Sequence, residues 1–261
     1  MKILCFDTAL NKLYMTLGED NKVLYSKIME NENNNFASAH LCSSIVEVLS
    51  KFSLTLKDIN ALGVNVGPGS FTGIRAALTT AKVICSQLDI PLVGVNSFEI
   101  LSSLNNQAGK TAVVLDARKN NAFISIFEND KCIFEPQMIK CEDIIKLIQN
   151  ANAITDDKMS NVIENALNYE LHNFDLGEKL LKITYKKLSN ETQNKKFLYG
   201  TDNDTHLISE NGKITARMAS QSNTGAAGVD ILSIAYAEKE YSEILYYLPD
   251  GTVLDGYGTI L

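Results

Sequence analysis

The sequence predicts an α/β protein of two lobes, and three observations carry that expectation. A short apolar strand at Met1–Asp7 ends in Asp-Thr and is followed by two more strands across tight turns. Helical apolar periodicity then alternates with buried strand-like runs as far as Val95. Finally, the strand-Asp-turn-strand pattern of Leu4–Leu17 returns at Val113–Phe127, as a duplicated unit would produce.

Taken in order, Leu13–Leu17 and Val23–Ile28 flank the turn signal Gly18-Glu-Asp-Asn21 and complete an antiparallel meander with the first strand. Glu30–Asn35 is a polar loop. From Ser38 the apolar residues Leu41, Ile45, Val48, Leu49 and Phe52 recur at spacings of three and four, which predicts a helix to about Lys51. Ile59–Val66 is a buried strand. It runs straight into GPGSFTGIR, Gly67 to Arg75. A helix follows with Phe71, Ile74, Ala77, Leu78, Ala81, Ile84, Cys85 and Leu88 on one face, and Ile90–Val95 is the next strand. The second cycle starts at Thr111 with a strand to Asp116, a turn at Lys119-Asn-Asn121 and a further strand. Glu142–Gln149 reads as a short helix, whereas Ala151–Gly212 is rich in Asn and Lys and shows only fragments of periodicity. Thr224–Ile244 reads as a helix capped by Thr224, with Ala227, Ile231, Ile234, Ala235, Ala237 and Tyr241 on its apolar side.

The chain has 261 residues, 45% of them hydrophobic, enough for one large domain or two small ones with a real core. No run approaches the roughly 18 apolar residues that span a bilayer, and Asp7 interrupts the opening apolar stretch, so a cytoplasmic protein without membrane contact is expected. Cys5, Cys42, Cys85, Cys132 and Cys141 form no CxxC pair and read as reduced thiols, with neither a metal site nor a disulfide framework. The net charge is −7. Nine Lys/Arg balance nine Asp/Glu in residues 1–110, against 15 and 22 in residues 111–261. An acidic chain does not grip nucleic acid unaided, because phosphate neutralisation supplies most of that affinity. If RNA is involved, a partner holds it.

GPGSFTG sits at a strand-to-helix junction, where unpaired amides and the helix dipole make a cradle for anions. It matches neither GxxxxGK[ST] nor GxGxxG, and no lysine follows to reach a terminal phosphate. On the structural reading Pro68 and Gly69 set the turn, Ser70 or Thr72 caps the helix, and Gly73 permits close approach of helix and sheet. Gly67, Gly69, Ser70, Thr72 and Gly73 therefore form a nucleotide or anion loop that is vestigial or structural.

FDTA after the first strand, DINALGVNVGPGSFTGIR, IPLVGVNSFEIL and LDAR in the second cycle together resemble the TsaB (YeaZ) family of bacterial tRNA threonylcarbamoyladenosine biosynthesis proteins. The resemblance covers residues 1 to about 128. It implies an actin-like (ribonuclease H-like) fold in which each lobe is a mixed five-stranded sheet flanked by helices. The first lobe would be 1–108. The second would be 109–261, with the helix 224–244 packing back across the lobes. The catalytic relative TsaD carries a metal-binding HxxxH on the helix after the fifth strand, where this chain has VNSFEILSS, with Ser97 and Leu101 in place of the imidazoles. The resemblance thus implies a scaffold without catalytic residues, metal or cofactor. It would bind a TsaD-like catalytic subunit and a TsaE-like ATPase, and would meet tRNA only through that complex.

Small residues Ala76, Ala77 and Ala81 lie on the helix Phe71–Leu88, with Leu41, Ile45 and Val48 on its neighbour. They suit either burial within the lobe or an interface, and the resemblance implies pairing there with TsaD or with a second copy. Asp7 and Asp116 end the opening strands of the two lobes, either as turn formers or as carboxylates near a metal-phosphate complex. Those two residues with the glycine loop support the alternative, an ATP-dependent phosphotransferase or ATPase of the same fold. Its second glycine motif could only be Gly225-Ala-Ala-Gly228 or Gly256–Gly258. Arg75 and Arg118 follow the two signature motifs and could bind an anion, a partner carboxylate or the loop itself. His40, His172 and His206 stand in no triad motif.

Overall fold

Ile3, Leu4, Cys5 and Phe6 are all fully buried, which a strand achieves only when both faces of its sheet are covered. This strand, β1 (Lys2–Asp7), is central in the first lobe of a computed structural model that describes residues 1–30, 37–105 and 107–190. Beyond them it describes the backbone of strands at 197–198, 207–210, 213–219, 231–237, 244–247 and 253–254. β1, β2 (Lys12–Glu19) and β3 (Lys22–Glu30) form the expected antiparallel meander. The chain then passes through α1 (Leu41–Lys51), β4 (Ala61–Asn65), α2 (Phe71–Leu88), β5 (Leu92–Val95) and α3 (Ser97–Ser102). β4 adds parallel to β1, and β5 adds parallel to β4.

The second lobe repeats this plan. β6 (Lys110–Asp116), β7 (Asn121–Glu128) and β8 (Lys131–Lys140) form a second meander, followed by α4 (Cys141–Leu147), β9 (Ala151–Thr155), α5 (Asp157–Ser160) and β10 (Leu167–Asn168). Strand order is β5-β4-β1-β2-β3 in one sheet and β10-β9-β6-β7-β8 in the other, so the duplicated unit read from the sequence is a duplicated topology. The expected pair of mixed five-stranded sheets flanked by helices is present.

α6 (Leu176–Asn190) follows the second lobe in the chain but lies on the sheet of the first. Leu176, Leu180 and Leu181 are buried there, each stabilising the fold by roughly 1.5–3 kcal/mol. β11 (Phe197–Leu198) then pairs parallel to β5 and extends the first sheet to six strands.

The C-terminal part departs from expectation. The chain divides into compact units Met1–Leu198 and Tyr199–Leu261, so the two-lobed unit ends at Leu198 instead of continuing to 261. The second unit is an antiparallel meander of β12 (Leu207–Glu210), β13 (Lys213–Ala219), β14 (Ile231–Ala237), β15 (Ile244–Tyr247) and β16 (Val253–Leu254). Of the helix expected over 224–244, residues 231–237 are instead β14 and Ile244 opens β15, while the rest of the span lies outside the described residues. Gly225 and Gly228 each cost a helix about 1 kcal/mol, and the run ILSIAYA satisfies a strand period as well as a helical one. Paired along its whole length with β13, it takes the strand. The helix that lies across the first lobe is α6.

Candidate functional site

Asp7 closes β1, and its position decides how the glycine loop is held. Its Oδ1 accepts hydrogen bonds from the amides of Ala9 (2.6 Å) and Leu10 (3.3 Å), and its Oδ2 accepts from Asn65 Nδ2 (2.9 Å). Asn65 ends the neighbouring parallel strand and accepts the Gly67 amide at its own Oδ1 (2.8 Å). Ser97 Oγ, at the start of α3, lies 3.0 Å from Asn65 Oδ1 and 2.7 Å from the Pro68 carbonyl oxygen, so its single proton serves one of two acceptors. Burial raises the Asp7 carboxyl to about 6, against the lowering effect of the three hydrogen bonds it accepts.

The loop is also strapped to the turn after β1. The Ser70 amide donates to the Ala9 carbonyl (2.6 Å), Thr8 Oγ1 donates to the Gly73 carbonyl (2.6 Å), and Ser70 Oγ accepts from the Gly73 amide (3.2 Å) as the cap of α2. A Cβ on Gly69 would collide with the Ala9 carbonyl oxygen, and one on Gly73 with that of Thr8. These glycines are required because backbone meets backbone. Thr72 is exposed in the first turn of α2 and is not the cap. The amides of Gly67, Ser70, Gly73 and Ile74 all donate to acceptors within the chain.

In front of the loop a cleft of about 470 Å³ separates the lobes. Thr8–Lys12 and Pro68–Ser70 line it on one side, Asp116, Arg118, Asp156–Lys158, Tyr169 and Glu170 on the other. Asp156 caps α5 through the Met159 amide (2.8 Å) and accepts the Asp116 amide (2.6 Å). Burial, reinforced by the charge of Asp116, raises its carboxyl above the usual range; burial does the same for Glu170, with the Asp156 and Asp157 charges adding to it. Lys158 pairs with Asp116 (2.7 Å) and Lys12 with Glu30 (2.9 Å). Among the described residues no three His, Cys, Asp or Glu side chains converge as metal ligands. Ser97 and Leu101 do not fit a metal: both are fully buried, one hydroxyl committed to the loop and one side chain apolar.

The residues read as a partner surface lie elsewhere than at the surface. Leu41, Ile45, Val48, Ala77 and Ala81 are 4% exposed or less, and Ala76 is half-buried. Small residues on α2 let it sit close to its own sheet, which is why they pack inward. Exposed on the same two helices are Val46 (64%), Val83 (58%) and Phe71, whose ring carries the Arg75 guanidinium at 5.2 Å. His40 and His172 are exposed, the latter against Phe174; His206, Gly225–Gly228 and Gly256–Gly258 fall outside the described residues. Cys5 and Cys85 are buried, Cys42 and Cys132 exposed, and none of the described cysteines is in a disulfide. Asn65, Asp156, Tyr169 and Glu170 were not singled out by sequence. Only Asn65, a polar residue ending an apolar strand before a glycine loop, carries a signal that could have found it.

A sequence model described as "TsaD: tRNA N6-adenosine threonylcarbamoyltransferase" matches residues 34–211. The tRNA threonylcarbamoyladenosine biosynthesis protein TsaB of Bacillus subtilis (strain 168) is 27% identical over 136 residues, covering 52% of this chain and 58% of that protein. TsaB of Escherichia coli (strain K12) is 26% identical over 135 residues, covering 50% and 57%. The chain thus spans a little over half the length of these curated relatives. The solved structure of YeaZ from Pseudomonas aeruginosa superposes with a TM-score of 0.59 at 17% identity, over 73% of this chain and 93% of that one. The fold is accordingly the two-lobed actin-like, ribonuclease H-like one.

Proposed function

The chain belongs to the TsaD family of tRNA N6-adenosine threonylcarbamoyltransferases, and we propose that within it this chain is a non-catalytic scaffold subunit for threonylcarbamoyladenosine formation in tRNA. It binds a TsaD-like catalytic subunit and works with a TsaE-like ATPase, and tRNA is reached through that assembly. The observation that carries this reading is the inward commitment of the loop: Gly67, Ser70, Gly73 and Ile74 amides, with Asn65 and Ser97, are consumed in holding the chain's own structure. The fit of Ser97 and Leu101 to a buried packing role and not to a metal supports the same conclusion. The partner surface we assign to the outer face of α1 and α2, around Val46, Val83 and Phe71.

A second reading, an ATP-dependent phosphotransferase, is favoured by one feature: Asp116, Asp156, Arg118 and Lys158 face the loop across the cleft. Isothermal titration against Mg-ATP, then against a TsaD-like protein in the same cell, separates the two. The scaffold reading requires no heat with nucleotide and a clear heat with the partner. Tight ATP binding by the isolated chain would reverse the ranking. Val83→Glu is expected to leave the protein folded and remove the partner heat, whereas Ala81→Glu, which buries a charge, is expected to unfold it.

A further inference from the structure

Helix α6 leaves the second lobe and crosses the sheet of the first, touching each of β1 to β5. Its seat leaves no room for a side chain at three glycines. A Cβ on Gly177 would collide with Thr16 Oγ1, one on Gly18 with Leu181, and one on Gly63 with Thr184 Oγ1. Both ends are also tied. At the N-terminus Asp175 Oδ1 accepts Ser26 Oγ (2.9 Å) and caps the helix through the Glu178 amide (2.9 Å). Toward the C-terminus Lys187 Nζ reaches Glu99 Oε1 (2.8 Å) and the Gly94 carbonyl (3.3 Å), and between these ties Lys179 Nζ reaches the Ser103 carbonyl (3.1 Å). Glu99 belongs to the capping box of α3, and α3 packs on β6 and β7 of the second lobe.

The apolar core follows the same path. One cluster includes Ile3, Val93 and Phe98 of the first lobe, Leu115 and Ile154 of the second, and Leu180 of α6. Enzymes that close on a ligand do so about hinges, a few residues that absorb the change between two separately packed bodies. The second lobe has a core of its own around Val114, Ile124 and Ile144, but the cluster between the lobes is shared by both and by α6, and interiors this tightly packed do not deform continuously.

We infer that α6 is a strap that locks the two lobes at one angle, so that the cleft between them has a single width and does not close on a ligand. This goes beyond the scaffold reading, since a rigid frame could serve either a binding subunit or an enzyme that needs no closure. The native exposed thiols supply the test. Cys42 on α1 and Cys132 on β8 stand on different lobes, while Cys5 and Cys85 are buried with thiols pushed up to about 12 and resist labelling. In the full chain carrying Cys141→Ser, nitroxide labels on Cys42 and Cys132 are read by pulsed electron-electron resonance. The expected result is one narrow distance, unchanged by millimolar Mg-ATP. A bimodal distribution, or a new distance with Mg-ATP, overturns the lock. Gly177→Leu, which has no room against Thr16, is expected to broaden the distribution at least two-fold; if that variant does not fold, the pair Asp175→Ala with Lys187→Ala takes its place. A folded strap variant with the parent's narrow distribution removes α6 as the lock.

Discussion

The two lobes share one strand order and end their first strands in the same residue type, yet Asp7 and Asp116 are used differently. Asp7 is 1% exposed and is the hub of a closed network with Asn65, Ala9 and Leu10. Asp116 is partly exposed; it accepts the Arg118 amide (2.9 Å) and pairs with the exposed Lys158. After the next parallel strand, the first lobe has a glycine loop sewn to β1, and the second has only the four-residue α5 capped by Asp156. A common topology therefore fixes where carboxylates arrive, and local burial decides whether they brace the fold or face a cleft.

The largest expected effects break this contrast at the glycines. Gly73→Ala drives a Cβ into the Thr8 carbonyl, a backbone atom that cannot step aside, and is expected to cost more than about 3 kcal/mol or prevent folding. Gly109, at the entry to the second lobe, has a φ of +109° but open space around it, so Gly109→Ala should cost about 1 kcal/mol from backbone strain alone. Urea denaturation of both variants checks the order. Equal losses would mean that the loop is not clamped against β1.

The next contrast sets the two aspartates against each other. Asp7→Ala leaves Asn65 and two buried amides without an acceptor, at a cost of about 2–3 kcal/mol, while Asp116→Ala loses a solvent-facing pair and a turn bond, about 1 kcal/mol or less. The sign of the pH dependence is also set. Asp7 has a folded pKa of about 6 against an ordinary 3.8, so the folded state holds its proton more tightly than the unfolded chain. Its contribution is full below 3.8, is lost as the pH rises to 6, and is flat above. Unfolding midpoints from pH 4 to 6 should show that descent, shallower in Asp7→Asn, where Asp156 and Glu170 of the second lobe still add a slope of the same sign. A parent and variant with parallel profiles would place no linked proton on Asp7.

The same contrast explains what could be read from residues alone. Both meanders, α1 and α2 were legible because period and turn residues are local signals, and the loop was legible because three glycines and a proline crowd seven positions. The pairing of Asn65 with Ser97 is a contact between residues 32 apart that no spacing announces. α6 escaped because its buried stripe includes Gly177 and Thr184 among the lysines of LGEKLLKITYKKLSN. Ala77 and Ala81 were ambiguous for a physical reason: a small side chain permits close approach to a partner helix and to the lobe's own sheet alike.

A smaller effect separates the two hydroxyls of the loop. Ser70 caps an 18-residue helix, so Ser70→Ala should cost about 1 kcal/mol. Thr72 is exposed and accepts no cap bond, and Thr72→Ala should stay within about 0.5 kcal/mol. Thermal unfolding resolves the pair. An equal loss at Thr72 would give it a role that the helix end does not.

The last contrast lies in the turns that face each other across the cleft. Between β6 and β7, Arg118, Lys119 and Asn120 all have positive φ (62°, 48° and 61°), whereas no residue from Thr8 to Asn11 in the matching turn of the first lobe does. Left-handed backbone disfavours any side chain with a Cβ, so Lys119→Gly should stabilise the protein by up to about 1 kcal/mol. Ala9→Gly, in a turn that asks for no such conformation, should destabilise it by a similar amount. Partner titration on the Lys119→Gly protein then gives the strain its meaning. Higher stability with unchanged binding makes the strained turn a consequence of the tight β6–β7 connection. Higher stability with weakened binding makes it a device that holds Arg118 at the cleft for a partner, because a relaxed turn would then have lost the orientation that the strain maintained.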